Sequence, residues 1–275
     1  MEEKRLELDL TGEVIAITGG AGVLCGTMAE ALAERGAAVA VIDIDEEAAE
    51  QKAAAIRKDG GQAVAVRANV LEKESLEKAL ARTIEALGRP TVLINGAGGD
   101  KAEATTGPDQ EFFDLSPEAV RWVFDLNFVG TLLTSQVFGK AMVEGGGGSI
   151  LNISSMNALR PLTKIPAYSA AKAAVSNFTE WLAVHMSQNY ENKVRVNALA
   201  PGFFLTEQNR FLLIDEETGD RTPRGQQIVD HTPMGRFGRP EELIGTVLWL
   251  LSDSSQFIHG IVVPIDGGFN AYSGV

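Results

Sequence analysis

Tyr168 and Lys172 lie four residues apart at the start of an apolar helical pattern, so their side chains project from one face of a helix. A cation beside a phenol favours the phenolate and lowers the tyrosine's pKa towards working pH, as a general base for an alcohol requires. Ser155 stands thirteen residues before Tyr168, at the end of a β-branched run, and offers a hydroxyl to the oxygen of a reacting group. Each residue has an ordinary reading: YxxxK pairs occur on helix surfaces, and ISS is a common strand end. A second cluster changes the balance. The stretch ITGGAGVLCG (17–26) follows a short apolar run and precedes the helical pattern MAEALAERG. In that setting glycines let backbone N–H groups close on a pyrophosphate at a helix N-terminus. Reading GxGxxG from Gly20 gives Gly20, Gly22 and then Cys25. The third glycine, whose role is close packing of helix on strand, is thus replaced by a small apolar residue with Gly26 beside it. Asp43 ends the next apolar run about 20 residues on, where a carboxylate accepts both ribose hydroxyls of NAD and repels a 2′-phosphate. Together the two clusters predict NAD-dependent chemistry at an alcohol or ketone.

Elements of the right kind surround these residues. Apolar, β-branched runs recur as VIAIT (14–18), AVAVID (38–43), AVAVR (63–67), TVLIN (91–95), SILNIS (149–154), VRVNALA (194–200) and IVVPID (261–266). Helical patterns lie between them; Leu76, Leu80, Thr83, Ile84 and Leu87 are spaced so that one stripe faces a sheet. Ser116, Pro117 and Glu118 read as an N-cap, a first helical proline and an early acid. Near-continuous apolar strands alternating with helices predict an α/β, doubly wound fold: a seven-stranded parallel sheet with helices on both faces. One domain over 1–275 is expected, with GGGG at 145–148 a loop and the long segment 203–240 a substrate lid.

Composition narrows the partners. Of 275 residues, 45% are hydrophobic and 22% charged, an ordinary globular mixture. A net charge of −13 argues against non-specific binding to nucleic acid or an anionic membrane, both of which need clustered Lys and Arg. One cysteine cannot form an internal disulfide, and the start MEEKRLELDL lacks the regions of a signal peptide. No apolar run approaches membrane-spanning length, so a cytoplasmic protein with a small-molecule partner is expected. His185, His231 and His259 have no zinc-like spacing and read as packing or surface residues; no metal is expected.

TGGAG near the N-terminus, NGAG at 95–98, DLNFVG around Asn127, ISS at 153–155, YSAAK at 168–172, the PG of APGFF and the late DGG occur in an order that resembles the short-chain dehydrogenase/reductase family along essentially the whole chain. The resemblance implies a Rossmann sheet in which Tyr168 is general base or acid, Ser155 orients the carbonyl or alcohol, and Lys172 also binds the nicotinamide ribose. It further implies that Asn127 holds a proton-relay water and that Gly19, Gly20 and Gly22 approach the cofactor phosphates. Asn69 and Val70 would flank the adenine, Asn95 and Gly96 border the cofactor, and Thr206 meet the nicotinamide amide; Val23, Leu24, Ala97, Pro201 and Gly202 complete the implied cofactor site. The family's TGxxxGxG pattern would place glycines at Val23 and Cys25, and an aspartate is more usual at Asn69. Those departures point to a phosphate loop reshaped around Gly22.

GVLC, NGAGGDKAEATT, SSMNALRPLTKIPAYSAAKAAVSNFTEWLAVH, APGFFLTEQNRFLL and HTPMGRFGRPEEL resemble more narrowly the branch of this family that interconverts D-mannonate and D-fructuronate. A related enzyme acting on gluconate or another polyol would share every catalytic residue. An acyl-carrier-protein reductase should prefer NADPH and present a basic surface, and a nucleotide-sensing scaffold should have lost part of the catalytic set. If the substrate is a sugar acid, local cations must hold its carboxylate against the acidic field of the chain. The candidates are Arg160 first, then Arg210, Lys101 and Lys164, with Asn157 for a sugar hydroxyl. The resemblance also implies a homotetramer formed by the long helices and the C-terminal strand.

Overall fold

The computed structural model of the chain describes residues 9–206, 210 and 212–274. The acidic start up to residue 8, and residues 207–209 and 211 of the long 203–240 segment, therefore lie outside the described residues.

Seven strands form: β1 (Val14–Thr18), β2 (Ala38–Asp43), β3 (Gln62–Arg67), β4 (Val92–Asn95), β5 (Gly148–Ile153), β6 (Val194–Pro201) and β7 (Val262–Ile265). They pair in the order β3-β2-β1-β4-β5-β6-β7, every pair parallel. The expected strand ends are met to within a residue. Between the strands run α1 (Val23–Ala33), α2 (Glu46–Lys58), α3 (Lys73–Leu87), α4 (Pro117–Phe124), α5 (Gly130–Glu144), α6 (Pro166–Asn189), α7 (Pro223–Asp230) and α8 (Ile244–Leu251). This is the doubly wound Rossmann arrangement that the apolar strand runs imply.

Side chains alternate across the sheet, so each strand feeds two cores. Ile15 and Ile17 of β1 join Met28, Leu32, Ile56 and Val247 on the face covered by α1, α2 and α8. Ala16 joins Leu76, Phe138, Met142 and Leu182 on the face covered by α3, α5 and α6. On α3 the buried stripe is Leu76, Ala79 and Thr83, whereas Ile84 is 39% exposed. Leu80 and Leu87 pack against the same core, so the expected stripe holds with Ala79 added and Ile84 turned outward. Ser116 caps α4 as its position predicts, accepting the Ala119 N–H at 3.2 Å.

Two local features position the site. From the end of α5 into the first residue of β5, Gly146, Gly147 and Gly148 all take positive φ, and a Cβ on Gly148 would stand 1.9 Å from the Thr91 carbonyl oxygen. Only glycine lets β5 enter the sheet there. His259 ties the segment before β7 to the middle of the fold: its Nδ1 accepts the Val196 N–H at 3.0 Å, and its Nε2 donates to the Ala183 carbonyl at 2.7 Å. It is the packing residue expected of it. Because the winding reverses between β1 and β4, a crevice opens beyond their carboxyl ends.

Candidate active site

A cavity of about 460 Å³ occupies that crevice. Of the expected cofactor residues, Gly19, Gly22, Val23, Leu24, Asp43, Asn69, Val70, Gly96, Ala97, Tyr168 and Lys172 line it. Gly20, Asn95, Pro201, Gly202 and Thr206 do not. The Asn95 side chain turns into the interior, donating to Ser135 Oγ at 2.9 Å and to Asn152 Oδ1 at 2.8 Å. Gly20 braces the turn from behind, its N–H donating to the Ile42 carbonyl at 3.1 Å. Gly202 is closed in by Asp266, whose Cα would stand 2.6 Å from an added Cβ. Sequence reasoning missed Ile42, Ile44, Ala68, Gly98, Gly99, Leu126 and Ile153 on the cavity wall, and read Cys25 only as a packing residue. Most of these are backbone or apolar surfaces beside the motifs, with no chemical signature of their own.

One end of the cavity is built for a dinucleotide. Gly19 takes φ +64°, and a Cβ on it would meet the Gly96 and Ala97 backbone at 2.9 Å. Gly22 is the N-cap of α1 with no side-chain cap, so the first helical N–H groups face the cavity unprotected, where an anion is favoured. Asp43 accepts the Ala21 N–H at 3.1 Å on one oxygen and the Asp45 N–H at 3.2 Å on the other, which fixes the carboxylate and leaves lone pairs for two hydroxyls. Asn69 also faces the cavity, but its amide is engaged in its own turn, accepting from Leu71 N–H at 3.1 Å and donating to Glu72 at 2.8 Å. At Val23 and Cys25, where the family pattern has glycines, α1 simply begins. Cys25 is buried, and burial pushes its thiol up to about 12.

At the other end stand the residues of the acid–base cluster. Lys172 is buried, and its Nζ donates to the Ile153 carbonyl at 2.8 Å while lying 5.6 Å from the centroid of the Tyr168 ring. Burial pulls its ammonium down to about 8. Burial also pushes the Tyr168 phenol up to about 12; a hydrogen bond with Ser155 acts the other way, and the Asp100 carboxylate adds to the rise. The expectation that Lys172 lowers the phenol is therefore corrected. Both groups sit in a poorly solvated pocket, and desolvation is the largest influence on each. Ser155 Oγ accepts the Asn157 N–H at 3.2 Å, which sets the turn after β5.

Asn127 lies in a π-helical turn, Asp125–Val129, between α4 and α5. Its amide grips one loop residue twice, accepting the Gly99 N–H at 3.2 Å and donating to the Gly99 carbonyl at 2.7 Å, and donates again to the Val123 carbonyl at 2.8 Å. A Cβ on Gly98 would stand 2.5 Å from Asn127 Oδ1 and 3.1 Å from Lys172 Nζ. Glycine at 98 is what lets the loop after β4 pass between them. Asn127 is thus placed as the clamp of that loop.

The expected substrate residues are not brought together. Asn157 is buried beside Ser155. Arg160 is exposed and donates through Nε to the Asn270 carbonyl at 3.2 Å and to Asn270 Oδ1 at 3.3 Å. Lys101 holds its ammonium 5.4 Å over the Trp122 ring. Arg210 and Lys164 are exposed. None of these cations lines the cavity. Among the described residues no group of three or more His, Cys, Asp or Glu could hold a metal ion, and no helix is long and apolar enough to cross a membrane.

A family model described as enoyl-(acyl carrier protein) reductase matches residues 22–270. An uncharacterised oxidoreductase of Bacillus subtilis (strain 168), UxuB, is 48% identical over 98% of this chain and 99% of its own length. A crystal structure of a Haemophilus influenza protein, described provisionally as a D-mannonate oxidoreductase with bound NAD, superposes with a TM-score of 0.91 at 47% identity, covering 97% of this chain and 98% of that one. The 5-keto-D-gluconate 5-reductase of Escherichia coli (strain K12) is 33% identical over 94% of this chain and 96% of its own length.

Proposed function

The chain belongs to the short-chain dehydrogenase/reductase family, and on that footing we propose that it interconverts D-mannonate and D-fructuronate, with NAD as the hydride partner and Tyr168 as the proton carrier. What supports this most is a single cavity lined at one end by the glycine turn and Asp43, and at the other by Tyr168 and Lys172. The glycine cradle and the open N-terminus of α1 fit a pyrophosphate, and Asp43 fits an unphosphorylated ribose. Gly19, Gly22, Val23 and Leu24 would hold the phosphates, Asp43 the adenosine ribose, Asn69 and Val70 the adenine, and Gly96, Ala97 and Lys172 the inner ribose. NAD, when bound, accepts hydride from C5 or returns it there.

In oxidation, Tyr168 Oη takes the proton of the C5 hydroxyl as the C5–H bond breaks, and Ser155 Oγ–H donates to the oxygen that becomes the carbonyl. Reduction reverses both transfers, with Tyr168 giving its proton to the C5 oxygen. Lys172, anchored on the Ile153 carbonyl at 2.8 Å with its ammonium 5.6 Å from the centroid of the Tyr168 ring, would hold the inner ribose beside the proton carrier. The substrate carboxylate needs a cation. Arg160 remains the first candidate, because only its Nε is engaged and among the described residues neither terminal nitrogen has a partner. It would have to leave Asn270 to serve.

The sugar-acid reading draws on the Haemophilus influenza relative, and the Escherichia coli relative makes 5-keto-gluconate reduction the second reading. Carrier-protein chemistry, the description of the family model, sits poorly with a net charge of −13, since a carrier protein is itself acidic. The deciding experiment incubates the purified protein with D-fructuronate, 5-keto-D-gluconate or a crotonyl thioester, each with NADH and with NADPH, and follows absorbance together with product identity. Turnover of fructuronate to mannonate with NADH preferred is expected. No turnover there, with turnover of either other substrate, overturns the assignment.

A further inference from the structure

The carboxyl end of β1, the carboxyl end of β4 and the first turn of α1 meet with almost no spare room. Gly96 and Ala97 are strapped to β1: the Gly96 N–H donates to Thr18 O and Oγ1, both at 3.2 Å, and the Ala97 N–H donates to Thr18 Oγ1 at 3.3 Å. The end of β4 therefore cannot retreat. From the α1 side, Cys25 projects into the same place. A Cβ on Gly96 would stand 2.1 Å from Cys25 Sγ and 3.6 Å from its Cβ, so the sulfur occupies the volume a side chain at 96 would need. Cys25 is 5% exposed, and both residues lie on the wall of the dinucleotide cavity.

We propose that Cys25 and Gly96 form a size-complementary pair that sets the floor of the dinucleotide crevice: the space takes one thiol-sized group, and α1 supplies it. The pair replaces the close helix–strand approach that a glycine at 25 would give. Cys25 acts here as a positioning residue through its volume, with no part for its thiol chemistry. Its consequence for NAD rests on the cofactor reading above; the steric pairing does not.

Because the chain has one cysteine, labelling by methyl methanethiosulfonate reads Cys25 alone. The test measures that labelling rate on the parent and Gly96→Ala, and NADH affinity by fluorescence titration on the parent, Gly96→Ala, Cys25→Gly and the double variant Cys25→Gly with Gly96→Ala. Forcing one methyl into a filled space should weaken NADH about tenfold or more in Gly96→Ala, and should speed Cys25 labelling as the sulfur is displaced. The double variant should bind NADH at least about threefold more tightly than Gly96→Ala alone. Part of the loss should persist, because the added methyl still approaches Thr18 O at 2.8 Å. Independent, additive effects of the two substitutions, or unchanged labelling in Gly96→Ala, would overturn the pair. If Gly96→Ala does not fold, Cys25→Val loads the same space from the helix, and NADH affinity equal to the parent's would overturn it equally. A parent that binds no NADH contradicts the cofactor reading, while the labelling rates still decide the pairing.

Discussion

Tyr168, pushed up to about 12, keeps its proton at neutral pH, while Lys172, pulled down to about 8, begins to lose its charge just above neutrality. A protonated phenol is the form that donates, so ketone reduction should run at neutral pH and fail as Tyr168 deprotonates. Alcohol oxidation needs the phenolate and should climb with pH towards about 12. Asp100 raises Tyr168 through its charge, so Asp100→Asn should move that limb to lower pH in both directions. Profiles of kcat against pH for parent and variant check this, and an unmoved limb would remove Asp100 from the site. Tyr168→Phe keeps the ring and removes the proton carrier; kcat should fall by about 10² to 10⁴ with NADH affinity retained by fluorescence titration. Near-normal turnover would take Tyr168 out of the mechanism. Spacing made Tyr168, Lys172 and Ser155 legible because a helix and a strand end turn sequence distance directly into proximity. It could not show Asp100 or Gly98, which come from the loop after another strand, nor that Arg160 is taken by Asn270, 110 residues away.

Among the elements, strands and helices were readable because apolar periodicity is a local property, and all seven strands fall where the β-branched runs lie. The π-turn at Asp125–Val129 was not: one extra residue in a helix leaves the apolar pattern nearly unchanged, yet it aims Asn127 at Gly99. The turn into β5 was half legible. Four glycines announce a loop, but only the structure shows that Gly148 already belongs to β5, with φ +149° and the Thr91 carbonyl against its open side. Gly148→Ala should therefore cost about 1–3 kcal/mol from strain and overpacking, with the β5 end that carries Ser155 disturbed as well. Urea unfolding measures the loss; a midpoint equal to the parent's would mean that the strand accommodates a side chain there.

For the whole molecule, a net charge of −13 sets a field that repels an anionic substrate, so binding a sugar acid must rest on local cations at the mouth of the site. On the far side of the sheet from the glycine turn, α5 and α6 enclose a groove of about 600 Å³ in which Trp181 is 56% exposed. The family resemblance implies a homotetramer, and an assembly of that kind would have to cover this groove. Sedimentation should then give one species of four times the chain mass, and a monomer at micromolar concentration would contradict it. The chemistry is tested most directly by label transfer: D-mannonate carrying deuterium at C5 is incubated with NAD, and the reduced dinucleotide and the sugar product are analysed by mass spectrometry. Hydride transfer from C5 predicts one deuterium in the reduced dinucleotide for each D-fructuronate formed. Turnover that leaves the deuterium on the sugar, or no turnover of mannonate at all, would contradict it.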